Sequence, residues 1–475
     1  MQVSNLIKRP KLRSIENTQI ERHASWLELF FDLIFVLAVA QVAQSLNQDF
    51  TLTGVLRYLA LFAPVWWAWI GYSFYADRFE SDEVIFRVLM FAGMMAMAAV
   101  AINVRGAFNG HDVSFAIAYV VVRLILIGLY VRAAYHVPLA RQLCIRYIIG
   151  FGLGNLLWMI SIFVPSPAHY WFWGMGFVAE VATAFVNLAV AKRTPYDASH
   201  IPERFGLFNL IVIGEAILTG VTGIHGTDWH LLSALIATGS FAIAAAVWWL
   251  YYDFVETYGI RKGWVLAGQV YMYAHFTISA GIAAIGVSTQ HAINEAHLSF
   301  LSTVTRWVLC GSVALFLLSI TAIRISVHSH HLLWARLSAI VMALSLAGFG
   351  EWLPPLLLIA VLLSTLIGLI VIESVKQEAA MEVCELEHGS PDGKCSHIGL
   401  AQNPTPKSIG CEECIAGHYQ WVHLRMCLIC GHVGCCDSSK FRHATKHFEE
   451  TGHPIMKSIE PDENWSWCYI DETYI

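Results

Sequence analysis

The chain has 475 residues, 57% of them hydrophobic and 13% charged. Soluble domains run at about 45–50% apolar and about 25% charged residues, so this composition excludes a disordered protein and argues against an ordinary water-soluble enzyme. Residues 1–376 carry a net charge of +2 and residues 377–475 a net of −8, with nine of the eleven cysteines after residue 380. An acidic, Cys/His-rich tail therefore follows a long apolar body, and such a tail repels phosphate and argues against nucleic-acid binding.

The body reads as twelve stretches long and apolar enough to span a bilayer. They are Ser25–Leu46, Gly54–Tyr75, Val84–Val104, Val113–Ala134, Leu143–Val164, Tyr170–Ala191, Arg204–Val221, Leu231–Phe254, Gly263–Val287, Phe300–Ile325, Leu332–Phe349 and Leu353–Ile372. Short links carry breakers such as Asn109-Gly110, Pro165-Ser166-Pro167 and Pro354-Pro355. The first stretch is not a cleavable signal: it is too long, contains Glu28 and Asp32, and lacks a small-residue cleavage site. Lys8, Arg9, Lys11, Arg13 and Arg22 precede it. Alternate loops then supply Arg78, Arg87, Arg132, Arg141, Arg146, Lys192, Arg193, Arg204, Arg261, Lys262, Arg324 and Arg336, against Arg105 and a borderline Arg57 on the other side. This asymmetry places both termini in the cytoplasm and fits an even number of spans in the cell (inner) membrane.

An internal repeat is visible. Phe31-Asp32-Leu33-Ile34 echoes Phe208-Asn209-Leu210-Ile211, Val65-Trp66-Trp67 echoes Val247-Trp248-Trp249, and Arg123 echoes Arg306, at offsets of 177, 182 and 183 residues. The expected fold class is an all-α polytopic membrane protein with a parallel six-plus-six repeat, followed by a small α+β zinc finger.

Ionisable groups in hydrocarbon are costly and face a partner or a wet cavity. The candidates are Glu28, Asp32, Arg123, Glu180, Glu215, His275 and Arg306. In one reading Asp32 or Glu180 pairs with Arg123 and Glu215 pairs with Arg306, as ties that fix helix packing. In the other, the unpaired acid and His275 line a path for protons or a small solute. Gly150, Gly152 and Gly154 are expected to serve tight helix packing.

Trp26-Leu27-Glu28-Leu29-Phe30-Phe31-Asp32-Leu33-Ile34-Phe35-Val36 and Glu203-Arg204-Phe205-Gly206-Leu207-Phe208 through Ile213-Gly214-Glu215 resemble the two signatures of the bacterial low-temperature-requirement A membrane proteins. The resemblance covers roughly residues 20–375. It implies a multi-pass membrane fold and leaves any transported substrate open.

The tail holds Cys395-x-His397, Cys411-x2-Cys414, Cys427-x2-Cys430, Cys435-Cys436, His443-x3-His447, His453 and Cys468. Paired Cys-x2-Cys knuckles with spaced histidines are the pattern of tetrahedral structural zinc. Disulfides do not suit a tail expected in the reducing cytoplasm. With Trp421 and Trp467-Cys468-Tyr469, the segment is similar to a UBP-type zinc finger, the ubiquitin-binding finger of ubiquitin-specific proteases. The resemblance implies one site at Cys411, Cys414, Cys435 and His443 and a second at Cys427, Cys430, His447 and His453. A third would use Cys395, His397 and Cys468, with Asp471 where the family has a cysteine. One to three Zn2+ ions are expected, and either Cys435 or its neighbour Cys436 is the ligand.

The resemblance also implies that Trp421, Trp467 and Tyr469 wall a pocket for a protein or peptide C-terminal tail. The family's pocket arginine is missing from Cys436-Asp437-Ser438-Ser439, which weakens carboxylate capture. Alternatively Trp421, Trp465 and Trp467 form the core of a tiny metal-stapled domain.

The expected organisation is a cytoplasmic segment at 1–22, a transmembrane domain at 23–373, a linker at 374–394 and the finger at 395–475. Two functions are open. One is a proton-linked or small-solute transporter whose finger regulates it or recruits a partner. The other is a membrane-anchored sensor or binding module whose finger recognises a tail. No catalytic residues are expected, and closed four-ligand metal sites leave no open position for catalysis.

Overall fold

The computed structural model describes residues 10–12, 24–80, 83–191, 200–222, 231–255, 265–326, 332–390, 394–395, 397–402, 404–417, 419–437, 439–460, 463, 465–471 and 473–474. The topology charges Lys8, Arg9, Arg13, Arg22, Lys192, Arg193, Arg261 and Lys262 lie outside these residues. The chain forms two compact units, residues 1–372 and 373–475.

Up to residue 388 the described residues form twelve long helices: α1 (Trp26–Gln48), α2 (Leu52–Arg78), α3 (Val84–Asn103), α4 (Asp112–His136), α5 (Arg141–Ser161), α6 (His169–Val186), α7 (His200–Thr222), α8 (Leu231–Phe254), α9 (Val265–Asn294), α10 (Thr303–Ser326), α11 (Leu333–Phe349) and α12 (Pro355–His388). Among the described residues, eleven helices are long and apolar enough to cross a membrane. The twelfth predicted span corresponds to α6, whose 18 residues include His169 and Glu180. The last helix starts at Pro355, where a missing N–H costs nothing, and runs on to His388. Most of the expected linker is thus continuous helix.

Local chemistry sets the helix starts. Ser25 caps α1 in a reciprocal capping box with Glu28, and the Thr51 side chain caps α2. Burial then sorts the helices. In α9, 72% of the most apolar window is buried, against 28% in α8. From Leu61 onward, α2 is buried almost without interruption. These two helices are therefore central, and α8 lies at the periphery.

The two halves share part of their packing order. Helix α1 packs on α2 and α3, α3 on α4 and α4 on α5; likewise α7 packs on α8 and α9, α9 on α10 and α10 on α11. The two halves meet where α1 and α2 face α7 and α9. Tyr58 on α2 donates to the Ala280 carbonyl on α9 at 2.7 Å across this seam.

Helices α5 and α6 approach through glycine. A Cβ on Gly154 would fall 2.5 Å from Glu180 Cγ and 2.9 Å from the Gly176 carbonyl, and one on Gly150 would strike Thr183. Small residues allow such backbone approach where lipid offers no hydrophobic drive. Gly152 has open space around its Cβ position, so the expected packing role holds for Gly150 and Gly154 only.

The second unit is a five-stranded antiparallel sheet with two short helices. The strands are β1 (Leu424–Cys427), β2 (Val433–Cys435), β3 (Ile455–Ser458), β4 (Ser466–Cys468) and β5 (Thr473–Tyr474), in the order β2-β1-β3-β4-β5. Helices α13 (Glu412–Ala416) and α14 (His443–Thr451) accompany it. Its apolar core is Met426, Leu428, Val433 and Ile455. A core this small needs a staple. The tryptophans do not form it: Trp421 is 37% exposed, and Trp465 and Trp467 are half-buried.

Candidate functional site

A charged cluster sits where α1 and α2 of the first half meet α7 of the second. Glu28 accepts from the Ser25 amide at 2.8 Å and lies 3.5 Å from Arg204 and 3.6 Å from His200. Asp32, one turn along the same face of α1, accepts from Trp69 Nε1 at 2.7 Å and from Arg204 Nη2. His200 Nδ1 is 2.8 Å from Asp77 on α2. All five ionisable side chains are 0–2% exposed. Asp32 Oδ2 has no hydrogen-bond partner. Three carboxylates, one guanidinium and one imidazole thus lie together in an apolar interior, where each charge needs a partner.

Arg204, His200 and Asp77 are members that sequence reasoning missed. Arg204 counted as a loop charge, yet it is buried in the bundle, as are Arg78 and Arg336. The signal was present: Arg204 lies inside the second signature, next to an apolar run, and Asp77 lies in the segment after the Trp pair.

The repeat reappears inside this site. Asp32 meets Trp69 in the first half; at the equivalent positions, Asn209 lies against Tyr251. The second half therefore keeps the contact and drops the charge.

The other candidates separate. Arg123 pairs with Glu180, Nε to Oε1 at 3.0 Å and Nη2 to Oε2 at 2.9 Å, both fully buried. This settles the choice of Arg123's partner between Asp32 and Glu180. The expected Glu215–Arg306 pair is not formed. Half-buried Glu215 accepts from Thr219 on its own helix at 3.4 Å. Arg306 donates to the Ala347 carbonyl at 2.8 Å and lies 3.9 Å from Glu351. The pair fails because each side chain has a nearer partner. His275 is buried with both ring nitrogens engaged, Nε2 with the Tyr251 hydroxyl at 2.8 Å and Nδ1 with the Tyr271 carbonyl at 2.6 Å. The carbonyl can only accept, so Nδ1 carries the proton and the ring is satisfied as a neutral tautomer.

In the finger, three groups of four ligands converge, each with its donor atoms within 4.8 Å of one another. In the first, His443 Nδ1 lies 3.2, 3.4 and 3.4 Å from the sulfurs of Cys411, Cys414 and Cys435. Tetrahedral zinc with bonds of about 2.0 and about 2.3 Å puts N and S about 3.5 Å apart, so this set fits. In the second, Cys430 is 3.3 Å from His447 Nε2 and Cys427 is 3.6 Å from His453 Nδ1. In the third, Asp471 Oδ2 lies 3.0 Å from Cys395, 2.8 Å from His397 Nδ1 and 3.5 Å from Cys468. Asp471 thus occupies the fourth corner. Cys436 is not a ligand; its sulfur meets the Ser439 hydroxyl at 3.6 Å. Both Cys435 and Cys436 are buried, so spacing alone did not separate them.

The backbone shapes these sites. Gly431 turns the second knuckle at φ +78°, where a Cβ would sit 2.5 Å from the Thr405 carbonyl. Gly452 ends α14 at φ +69° and turns the chain into His453. Amides of Ile429, His397 and Asp471 donate to the sulfurs of Cys427, Cys395 and Cys468. Without metal, burial pushes the Cys395 thiol up to about 12 and raises Cys411, Cys414 and Cys427 too. Against burial, hydrogen bonds from Cys395, His397 and Cys468 hold the Asp471 carboxyl well below the usual range. Burial, together with His432 and His453, pulls His447 down to about 4. Crowded buried thiols of this kind gain most from a cation that displaces their protons.

Residues 23–371 match the family described as bacterial low temperature requirement A protein, LtrA. The chain belongs to the LtrA family. Residues 411–475 match the zinc finger described from ubiquitin hydrolases and other proteins. An uncharacterized protein of Rhizobium meliloti is 26% identical over 302 residues, 58% of this chain and 71% of that one. Ubiquitin carboxyl-terminal hydrolase 44 of Ailuropoda melanoleuca is 35% identical over 88 residues, 17% of this chain and 11% of the hydrolase. BRCA1-associated protein of Mus musculus is 35% identical over 85 residues, 18% of this chain and 13% of its own. The chain therefore spans only about a tenth of these last two relatives. A solution structure of a Rhodopseudomonas palustris protein is 51% identical and covers 17% of this chain and 80% of its own, at a TM-score of 0.17.

In this LtrA protein, two of the expected pocket aromatics, Trp421 and Tyr469, sit on different supports, and the third, Trp467, is half-buried. Trp421 lies over Gly410, with its ring carbon 2.8 Å from a Cβ there. Tyr469 stacks on Phe448 of α14 at 4.9 Å. Trp465 lies under the Arg425 guanidinium at 4.4 Å. Arg425 lies on β1 and also reaches Glu463 at 3.3 Å.

Proposed function

We propose that the LtrA unit is a proton-linked transporter of small solutes in the inner membrane, with both termini in the cytoplasm. The zinc-stapled finger serves there as a regulatory or recruiting module. The reading rests on the acid-rich cluster of Glu28, Asp32, Asp77, His200 and Arg204 between the two halves. A proton on Asp32, whose Oδ2 accepts no hydrogen bond, would change the charge held at the seam, and its loss would restore it. Proton exchange at that seam would bias how α1 and α2 sit against α7. Two packings of one interface are what alternating access requires. The body holds no role as an enzyme in this account.

The test uses purified full-length protein in vesicles loaded with a pH-sensitive dye. An imposed acid step acidifies the lumen through the wild-type protein, and Asp32→Asn slows this to the empty-vesicle rate. Wild-type flux in Asp32→Asn counts against transport.

A second reading has a specific support. The finger resembles that of ubiquitin carboxyl-terminal hydrolase 44, and Trp421 is exposed. The body would then be an anchor or sensor, and the finger would hold a peptide tail. Capture of a C-terminal peptide that is lost in Trp421→Ala, with zinc content unchanged, supports it.

A further inference from the structure

The three metal sets differ in where their ligands lie along the chain. Those of the first and second sets all fall between Cys411 and His453 and interleave there. The third set straddles that stretch: Cys395 and His397 precede it, and Cys468 and Asp471 follow it. With a metal bound, these four side chains tie the two ends of the finger together.

One of those ends comes directly from the last long helix. Helix α12 stops at His388, and the next residues, Gly389 and Ser390, pair antiparallel with Cys395 and Lys394. Cys395 is thus a metal ligand and also part of the first turn of chain after the helix. Further on, the Gln402 and Lys407 amides donate to the Leu428 and Gly431 carbonyls at 2.8 and 2.9 Å. The backbone itself therefore holds the chain to the finger from Gln402 onward. The third set acts on the piece before that, where helix passes into finger.

The third set also differs in its chemistry and its packing. The first two offer thiolate and imidazole alone, the donors of closed structural zinc. Asp471 gives the third a carboxylate oxygen, a harder donor that suits zinc less than thiolate does. The His397 side chain is 25% exposed, so a competing ligand can approach from solution. In the first set, Cys411, Cys414 and Cys435 pack with Leu424 and Phe441, and Cys427 of the second lies between the core residues Met426 and Leu428. Metal in those sets is part of the fold. Among the described residues, the third set belongs to neither cluster.

We infer that the third set is an exchangeable zinc site and that its occupancy is a signal. Loaded, Cys395 and His397 hold the joint after α12 against Cys468 and Asp471. Emptied, they release that joint while the rest of the finger stays folded. This assignment rests on the regulatory role proposed for the finger and names free zinc as the ligand it answers to.

The test takes purified full-length protein through a series of zinc buffers. Bound zinc is counted by elemental analysis, and brief trypsin digestion with mass measurement reads the cut after Lys394, next to the ligand Cys395. The wild-type protein is expected to lose one ion of its three in a separate first step, with the cut appearing in that same step. Asp471→Cys should merge that step with the loss of the other two. Should Asp471→Cys fail to fold, the two wild-type curves still decide the matter. Simultaneous loss of all three ions, a cut that ignores the first step, or an unchanged first step in Asp471→Cys overturns the inference. Proton flux in vesicles is then followed over the same series. A change in flux at the first step supports the signal, and constant flux overturns it. No flux at any zinc level, with the ion and the joint still leaving together, would sink the transporter reading alone.

Discussion

Arg204 on α7 and Asp32 on α1 form an ion pair across the junction of the two halves, 172 residues apart in sequence and both buried. Glu28 shares the same guanidinium at 3.5 Å. The family's two signatures, separated along the chain, thus converge on one buried contact.

Removing one partner of such a pair strands the other. Arg204→Met removes the guanidinium paired with Asp32 and should cost about 3–5 kcal/mol. Adding Asp32→Leu and Glu28→Gln to it should recover most of that loss, since apolar replacement of a whole buried ionic group is nearly neutral. Midpoints of thermal unfolding in detergent check both variants.

Tight helix approach gives a paired prediction. Gly154→Leu drives a side chain into α6 and should destabilise by about 1–3 kcal/mol or prevent folding. Gly152→Leu, two residues away in open space, should leave the unfolding midpoint within about 0.5 kcal/mol of wild type. Equal behaviour of the two would remove the close approach of α5 and α6.

How much of this was legible in the sequence follows from what each signal depends on. The helical spans and the Cys/His knuckles are local patterns and were readable, and Cys411, Cys414, Cys435 and His443 meet as the family resemblance implies. Pairing between distant helices is not local. Glu215 and Arg306 share a plausible depth, but Thr219 and Ala347 lie nearer. Arg204 looked like a loop charge because it begins a helix; only the fold shows that start buried against α1. Cys435 and Cys436 were indistinguishable by spacing, since strand alternation decides which sulfur faces inward.

Metal content should follow the three ligand sets. The full-length protein is expected to hold three zinc ions, measured by elemental analysis. Cys435→Ser should remove one, while Cys436→Ser should remove none. Asp471→Ala should leave two firmly bound, because the third set then retains only Cys395, His397 and Cys468.

The pH dependence has a definite sign. Raised thiol pKa values mean that the cysteines are protonated before zinc arrives, so binding releases protons and strengthens as pH rises. It weakens as pH falls. Near pH 7 Cys411 and Cys414 of the first set, Cys427 of the second and Cys395 of the third should each give up a proton as zinc binds. His447, held down at about 4, is already deprotonated and adds nothing to that release. Calorimetry in buffers of different ionisation enthalpy gives the counts.

The most direct measurement of the α1–α7 seam is infrared difference spectroscopy of the wild-type protein and of Asp32→Asn between acid and alkaline pH. A buried protonated-carboxyl band that grows on acidification, and that is missing in Asp32→Asn, is the predicted result. A seam whose carboxyl spectrum is unchanged across that range, or identical in the two proteins, would be a fixed structural tie and would contradict the account.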